Sequence, residues 1–261
     1  MHHVARITIY PIKSLDGVSL TACDVLPQGA LRNDRRWAIV DELEKFVNGK
    51  RSSAVHEIRA VFDLANETVS LGRSMDCLTS PLHLSRQRDE VNRWLSDALD
   101  MPVHLIESTH GGFPDDTQRP GPTVVSTGTL NTTVRWFPGV DLESARLRFR
   151  ANIEVDSPEA FWEDRLVGND DQHPIRFRVG EVAFEGLGIS QRCVVPSRHP
   201  RSGEVISGFA KRFSRLRGET LPLWSPRQRF DHFYRLAVNT RRVETGASAK
   251  IRVGDSLVIG S

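Results

Sequence analysis

Apolar and polar residues alternate over residues 4–11, 18–26 and 36–41, with Gly or Pro punctuation between the runs. That period-two pattern is the signature of half-buried strands. The stretch 41–49 (DELEKFVNG) reads as a hairpin returning into the same sheet, and 57–65 with 67–71 reads as another around Asn66. The period then changes. Val91, Trp94, Leu95, Ala98 and Leu99 recur at helical spacing within 88–99, Met101-Pro102 ends that helix, and 103–107 (VHLIE) resumes as a strand. Residues 108–122 contain three Gly and three Pro without periodicity, which marks a loop and either a domain boundary or a mobile active-site segment.

Beyond that loop, Ser126 is a candidate N-cap for a helix to about Phe137, closed by Pro138-Gly139. Short strand patterns follow at 145–156, 175–180, 181–186 and 192–196, with helical stretches at 158–166, about 208–217 and 227–235. The segment 248–260 reads as two strands turning at Gly254-Asp255. The chain is therefore expected to be mainly β with a few helices (α+β) and barrel-like, without internal repeats. Its divisions fall at 1–107, 108–122 and 123–261.

Composition adds bounds. The 261 residues are 39% hydrophobic and 26% charged, as in ordinary soluble proteins. No run reaches the roughly 18 apolar residues of a membrane span, and the N-terminus lacks the apolar core of a secretion signal. A cytoplasmic protein without membrane contact is expected. Residues 192–252 hold 14 Lys/Arg against 4 Asp/Glu, whereas 1–191 hold 21 against 28. The basic stretch suits nucleic acid, an acidic protein or a phosphorylated ligand. Its aromatics (Phe209, Phe213, Trp224, Phe230, Phe233, Tyr234) are spaced like core rather than like a base-stacking platform, so nucleic acid is not the expected partner.

The three cysteines, Cys23, Cys77 and Cys193, lie too far apart for a zinc or iron–sulfur spacing. Cys23 and Cys77 sit among apolar residues and are expected to be buried and inert. Cys193 follows Arg192 and precedes a Pro- and Gly-containing turn, which suits a reactive thiolate or a soft-metal ligand. Lys13 and Ser14 share a turn (PIKSLDG) that can hold a phosphate, though a solvated turn has the same composition. In 33–37 (NDRRW), alternation sends one of Arg35 and Arg36 inward, where Asp34 or an external anion can neutralise it. In 148–156 (RFRANIEVD), Arg148, Arg150 and Asn152 would share one strand face. No GxSxG, GxGxxG, Walker or HExxH pattern occurs.

Taken in order, the Lys-Ser turn, Asp34-Arg35, RFRAN and Arg192-Cys193 resemble the MOSC family, the molybdenum-cofactor sulfurase C-terminal type. LPQGALRNDRRWAIVD, VNGKR, FWEDRLVG and IRVGDSLVIG extend the likeness over nearly the whole chain. The resemblance implies a MOSC β-barrel with an N-terminal β-barrel-like domain packed against it. It implies a molybdopterin-bound molybdenum held by the Cys193 thiolate, with Lys13, Ser14 and Arg35 on the cofactor phosphate. Arg150, Asn152 and Arg192 would make further cofactor contacts. The activity implied is molybdenum-dependent reduction of N-hydroxylated compounds, such as hydroxylamines and amidoximes, to amines. The protein would be a monomer drawing electrons from a separate ferredoxin or flavoprotein reductase. The alternative is a sulfur carrier or cofactor-handling protein with a persulfide on Cys193, as for MOSC domains attached to pyridoxal-phosphate sulfurases. Three positions depart from the family pattern: His199 stands where Asp is usual, Leu166 where Trp is usual, and Gln191 where a small residue is usual.

Overall fold

The computed structural model describes residues 1–243, 246–247 and 249–260. Glu244, Thr245 and Ser248, which belong to the basic stretch and the closing two-strand segment, lie outside the described residues, as does Ser261.

In the first part of the chain the elements are β1 (His2–Ile9), β2 (Val18–Leu20), β3 (Ala22–Val25), β4 (Trp37–Asp41), β5 (Arg59–Asp63), β6 (Thr68–Ser74), β7 (Cys77–Leu78), β8 (Leu82–His83), α1 (Arg88–Leu99) and β9 (Val103–Glu107). There follow β10 (Val124–Ser126), α2 (Thr127–Trp136), α3 (Leu142–Phe149), β11 (Ile153–Val155), β12 (Ile175–Val179), β13 (Val182–Gln191), α4 (Phe209–Glu219), β14 (Arg235–Arg242), β15 (Ala249–Arg252) and β16 (Ser256–Ile259).

Among the described residues, seven strands close into a barrel in the order β1, β11, β10, β14, β13, β12, β16 and back to β1. Only β10–β11 is a parallel pair. The closing strand is β1, which pairs with β11 on one side and β16 on the other. The first strand of the chain thus completes a barrel whose other strands all come from beyond residue 123. With a register shift between Val4 and Arg6, this strand buries Val4, Ile7 and Ile9, which join Val124, Ile153, Phe177, Phe184, Val238 and Leu257 in the barrel core. From β1 the chain runs through β2 and β3 (paired with β15) into a second unit. There β4 pairs with β9, β5 pairs with β6, and α1 packs along β9, its Val91 and Leu95 sharing one core cluster with Trp37, Ile39, Val69 and Leu71. No described helix is long and apolar enough to cross a membrane.

Local signals account for most elements. The Ser126 hydroxyl accepts from the Thr129 amide at 3.2 Å and caps α2. Asp100 in the left-handed conformation closes α1 ahead of Pro102. Four expectations are corrected. Of the strand expected over 145–156, residues 145–149 belong to the helix Leu142–Phe149 and only Ile153–Val155 is strand. Arg146-Leu147-Arg148-Phe149 alternates, but Asp141 caps Ser144 at 2.6 Å and Ala145, Arg148 and Phe149 bury one helical face. Residues 158–166 carry only a 3-10 turn over Trp162–Leu166. Beyond β13, residues 192–196 are not a strand but lead into a 3-10 turn at Val195–Ser197. Only Arg227–Arg229 turns helically within 227–235, because Arg235 already begins β14.

Between the barrel, α2 and α4 lies a buried polar cluster. Glu163 is 1% exposed, and its Oε2 accepts from the Ser126 amide (3.2 Å) and the Thr129 hydroxyl (2.9 Å). Burial, with Asp164 adjacent, pushes the Glu163 carboxyl up to about 7. A carboxyl protonated in the fold but not in the open chain stabilises most below the usual glutamate value. That contribution fades as pH rises toward 7. Glu163→Gln is therefore expected to flatten the fall in unfolding free energy between pH 5 and 7.5. An unchanged slope in urea titrations would contradict this.

Candidate functional site

Four segments converge where the barrel meets the second unit: the β1–β2 connection, the turn before β4, the end of α3 and the end of β13. They line a cleft of about 610 Å³ that includes Lys13, Ser14, Arg35, Arg150, Arg192 and Cys193. Gly111, Pro114–Asp116 and Arg119–Gly121 line it as well, so the Gly/Pro loop is part of the site wall. Asn152 does not line this cleft. Its side chain accepts from the Thr123 amide and hydroxyl (both 3.1 Å) and donates to the Thr8 carbonyl (3.1 Å). It thereby ties β1 to the strand entry two residues beyond Arg150.

Backbone conformation marks the same residues. Ser14 (φ 75°), Arg35 (φ 50°) and Arg150 (φ 50°) are all left-handed without being glycine. Such positions cost on the order of 1 kcal/mol each and persist only where neighbours enforce them. The neighbours are visible. The Arg35 amide donates to the Tyr10 carbonyl and the Arg35 carbonyl accepts from Phe113, both at 2.8 Å, while the Arg150 amide donates to Arg146 at 2.8 Å.

The cations differ in how they are matched. Lys13 Nζ donates to the Phe113 carbonyl and to Asp115 Oδ1, each at 2.9 Å. Burial pushes the Lys13 ammonium below the usual lysine value even against the pull of Asp115. For Asp115, burial would raise the carboxyl, but Lys13 and Arg35 outweigh it and hold it at about 2. The partners shift in the same direction because Asp115 faces Lys13, Arg35 and Lys50 together, whereas Asp115 alone opposes the burial of Lys13; Lys13 keeps 9% side-chain exposure and Asp115 keeps 66%. At that exposure solvent screens the pair to under about 1 kcal/mol. Its contribution is present above the ordinary aspartate value and lost as pH falls toward 2. Arg35 Nη1 meets Asp34 at 2.5 Å, whereas Arg36 turns away to Glu67 and Glu107.

Arg148, Arg150 and Arg192 have no carboxylate within ion-pair distance among the described residues. Arg150 stacks 3.8 Å over the Tyr10 ring and donates to the Leu15 carbonyl at 2.8 Å. Arg192 donates to the Phe149 carbonyl at 2.5 Å, and its buried Nε has no partner. Burial pushes all three below the usual arginine value. Uncompensated guanidiniums in one wall give that wall a positive charge with no protein counter-ion among the described residues.

Cys193 is half-buried in the loop just past β13. Arg148, only 3% exposed, holds this loop to α3 by donating to the carbonyls of Pro196 (2.9 Å) and Arg198 (2.5 Å). His199 Nδ1 accepts from the Arg201 and Ser202 amides (3.3 and 3.2 Å), closing the turn with a ring nitrogen where a carboxylate is usual. Leu166 is fully buried in the barrel core, and Gln191 is exposed on the cleft rim. Of the other thiols, Cys23 is buried and pushed up to about 12, chiefly by burial. Cys77 is exposed, against expectation, because its two-residue strand lies at a sheet margin. No group of three or more His, Cys, Asp or Glu among the described residues is arranged to hold a metal ion.

Motif reading missed Asp115 and Phe113, which reach Lys13 from 100 or more residues away. Only the Gly/Pro content of their loop pointed there.

The family model for the MOSC N-terminal beta barrel domain matches residues 1–102, and that for the MOSC domain matches 127–258. The chain belongs to the MOSC family. It is 25% identical over 249 residues to molybdenum cofactor sulfurase of Oryza sativa subsp. japonica, covering 78% of this chain but 29% of that protein. It is 25% identical over 242 residues to mitochondrial amidoxime-reducing component 1 of Danio rerio, covering 77% of this chain and 70% of that one. The MOSC chain thus spans under a third of the sulfurase and about two thirds of the amidoxime-reducing component. A solved structure, the YUAD protein from Bacillus subtilis, aligns over 99% of this chain and 96% of its own at 12% identity, with a TM-score of 0.40.

Proposed function

We propose that the cleft binds a molybdenum cofactor and that the protein reduces N-hydroxylated compounds to amines. The observation that carries this is one wall holding the Cys193 thiol beside the uncompensated guanidiniums of Arg150 and Arg192. A soft thiolate suits molybdenum, and fixed cations suit a phosphorylated, anionic pterin, so the residues present fit the group. When bound, that cofactor supplies two-electron chemistry at the metal.

The chain's own residues do the rest. Cys193 provides the protein thiolate. Lys13, Ser14 and Arg35 receive the terminal phosphate, with Asp115 sharing or releasing Lys13 as they do so. Arg150 and Arg192 neutralise the remaining negative charge. Asn152 positions Arg150 through the strand entry it fastens, and Arg148 fixes the Cys193 loop. In the overall reaction the N–O bond breaks, oxygen leaves as water, and two electrons and two protons enter. The electrons come from a separate ferredoxin or flavoprotein, for which the basic stretch offers complementary charge.

The test is reduction of benzamidoxime and 6-hydroxylaminopurine by protein made in a cofactor-synthesising host, with reduced viologen as donor. Conversion to the amidine and amine is expected. Molybdenum-loaded protein that converts neither substrate would overturn the reading. The likeness to molybdenum cofactor sulfurase favours a second reading, in which Cys193 carries a persulfide. That reading predicts cyanide-releasable sulfur lost in Cys193→Ala, and no substrate reduction.

A further inference from the structure

We infer that a small tetrahedral oxyanion, of the phosphate or sulfate class, binds in a second chamber behind the cleft, between residues 55–59 and the 195–200 segment. The chamber has a volume of about 40 Å³. That is room for roughly three waters, or for one compact oxyanion in their place. It shares Ser14, Arg148, Arg150 and Val195 with the cleft, but Lys13, Arg35 and Cys193 do not line it. The inference does not depend on the cofactor reading.

The lining is heavily cationic. Arg59, Arg148, Arg150 and Arg198 face a single carboxylate, Asp16, with the His56 ring beside them. That carboxylate is already committed, since its Oδ1 accepts from Arg59 at 3.1 Å and its Oδ2 from the Ala60 amide at 3.0 Å. Arg148, Arg150 and Arg198 meet no carboxylate among the described residues. Arg148 spends its Nη1 on backbone carbonyls, and the buried Nε of Arg198 has no hydrogen-bond partner. Burial, with Arg198, Arg150 and Arg59 adding to it, pushes His56 below the usual histidine value, so the ring adds no charge to the chamber.

Guanidiniums gathered away from water repel one another and each carries a desolvation cost. An oxyanion accepting from Arg198 and Arg148 relieves both, and water relieves neither charge. Its bound position also has a consequence for the site. It would bridge α3, which carries Arg148, to the segment that follows Cys193, so an occupied chamber stiffens the loop bearing the thiol.

The experiment is calorimetric titration of the full chain with inorganic phosphate at constant ionic strength, with sulfate as competitor. Lys13→Gln removes a cation from the cleft but none from the chamber, and this variant is expected to keep one phosphate site. Adding Arg198→Gln is expected to weaken that site by about tenfold or more, and Arg198→Lys should weaken it less. Sulfate should compete for the same site. Crystals of the wild-type chain grown with phosphate should show tetrahedral density against Arg148 and Arg198. Absence of binding by the Lys13→Gln variant, an affinity unchanged by Arg198→Gln, or water alone in the chamber would overturn the proposal.

Discussion

Cys193→Ser is expected to lose N-hydroxylated-substrate reduction by more than about 100-fold in kcat/KM while leaving the fold intact. The separation of the two effects follows from where the thiol sits. Cys193 lies outside all three hydrophobic clusters, half-buried at the end of β13, and it makes no hydrogen bond that the loop relies on. The loop is held instead by Arg148, through Pro196 and Arg198, and by the His199 turn. A serine in that position keeps the loop but replaces a soft, ionisable ligand with a hard, weakly acidic one. Activity should fall with an unfolding free energy within about 0.5 kcal/mol of wild type. A Cys193→Ser protein that reduces benzamidoxime at the wild-type rate would show that the thiol plays no part.

The largest effect on stability is expected at Arg217. Its side chain is fully buried on α4, with the guanidinium 3.6 Å over the Phe161 ring and Nη2 paired to the Asp164 carboxylate. Ser225 donates to the same carboxylate oxygen. Burial pushes Asp164 above the usual aspartate value, and Arg217 is the main force opposing it. Arg217→Met leaves Asp164 buried without its cation and next to Glu163. The expected loss is about 3–5 kcal/mol, as for other broken buried pairs. The sign of its pH dependence follows. Without Arg217 the carboxyl is protonated more readily in the fold than in the open chain. The variant therefore loses stability as pH rises above the ordinary aspartate value, and the deficit should be larger at pH 8 than at pH 5. Replacing Asp164 as well, by Leu, should restore much of the loss. A single variant within 1 kcal/mol of wild type in urea at pH 8 would contradict the structural role.

The residues that set the architecture were largely legible in the chain. The alternation of 4–11 marked a strand, and Ser126 and Pro138-Gly139 bracketed α2, because these signals are local. Its partners were not legible. Nothing in residues 2–9 announces that the strand closes a barrel with β11 and β16, since sheet order is decided by long-range packing. The misreading of 145–149 has a local cause: Arg146-Leu147-Arg148-Phe149-Arg150 alternates like a strand, yet the Asp141 cap and the buried Ala145–Phe149 face win.

The site shows the same division. Lys13, Ser14, Arg35, Arg150, Arg192 and Cys193 stood out as residue types able to bind anions or metal, and the fold brings all six to one cleft. The spacing of Asn152 from Arg150 put it on that face too, but the left-handed turn at Arg150 breaks the strand alternation on which this rested. Asp115 and Phe113 carried no motif, so their grip on Lys13 is visible only in three dimensions. His199 is informative in a different way. It departs from the family pattern in residue type, yet its Nδ1 closes the turn by accepting two amides.

We propose that this cleft holds a molybdenum cofactor through Cys193. Metal and pterin quantification on protein purified from a cofactor-synthesising host tests it most directly. Close to one molybdenum and one pterin per chain are expected in the wild type, with the molybdenum largely lost in Cys193→Ser. Wild-type protein free of both, or Cys193→Ser protein that retains molybdenum at the wild-type level, would contradict it.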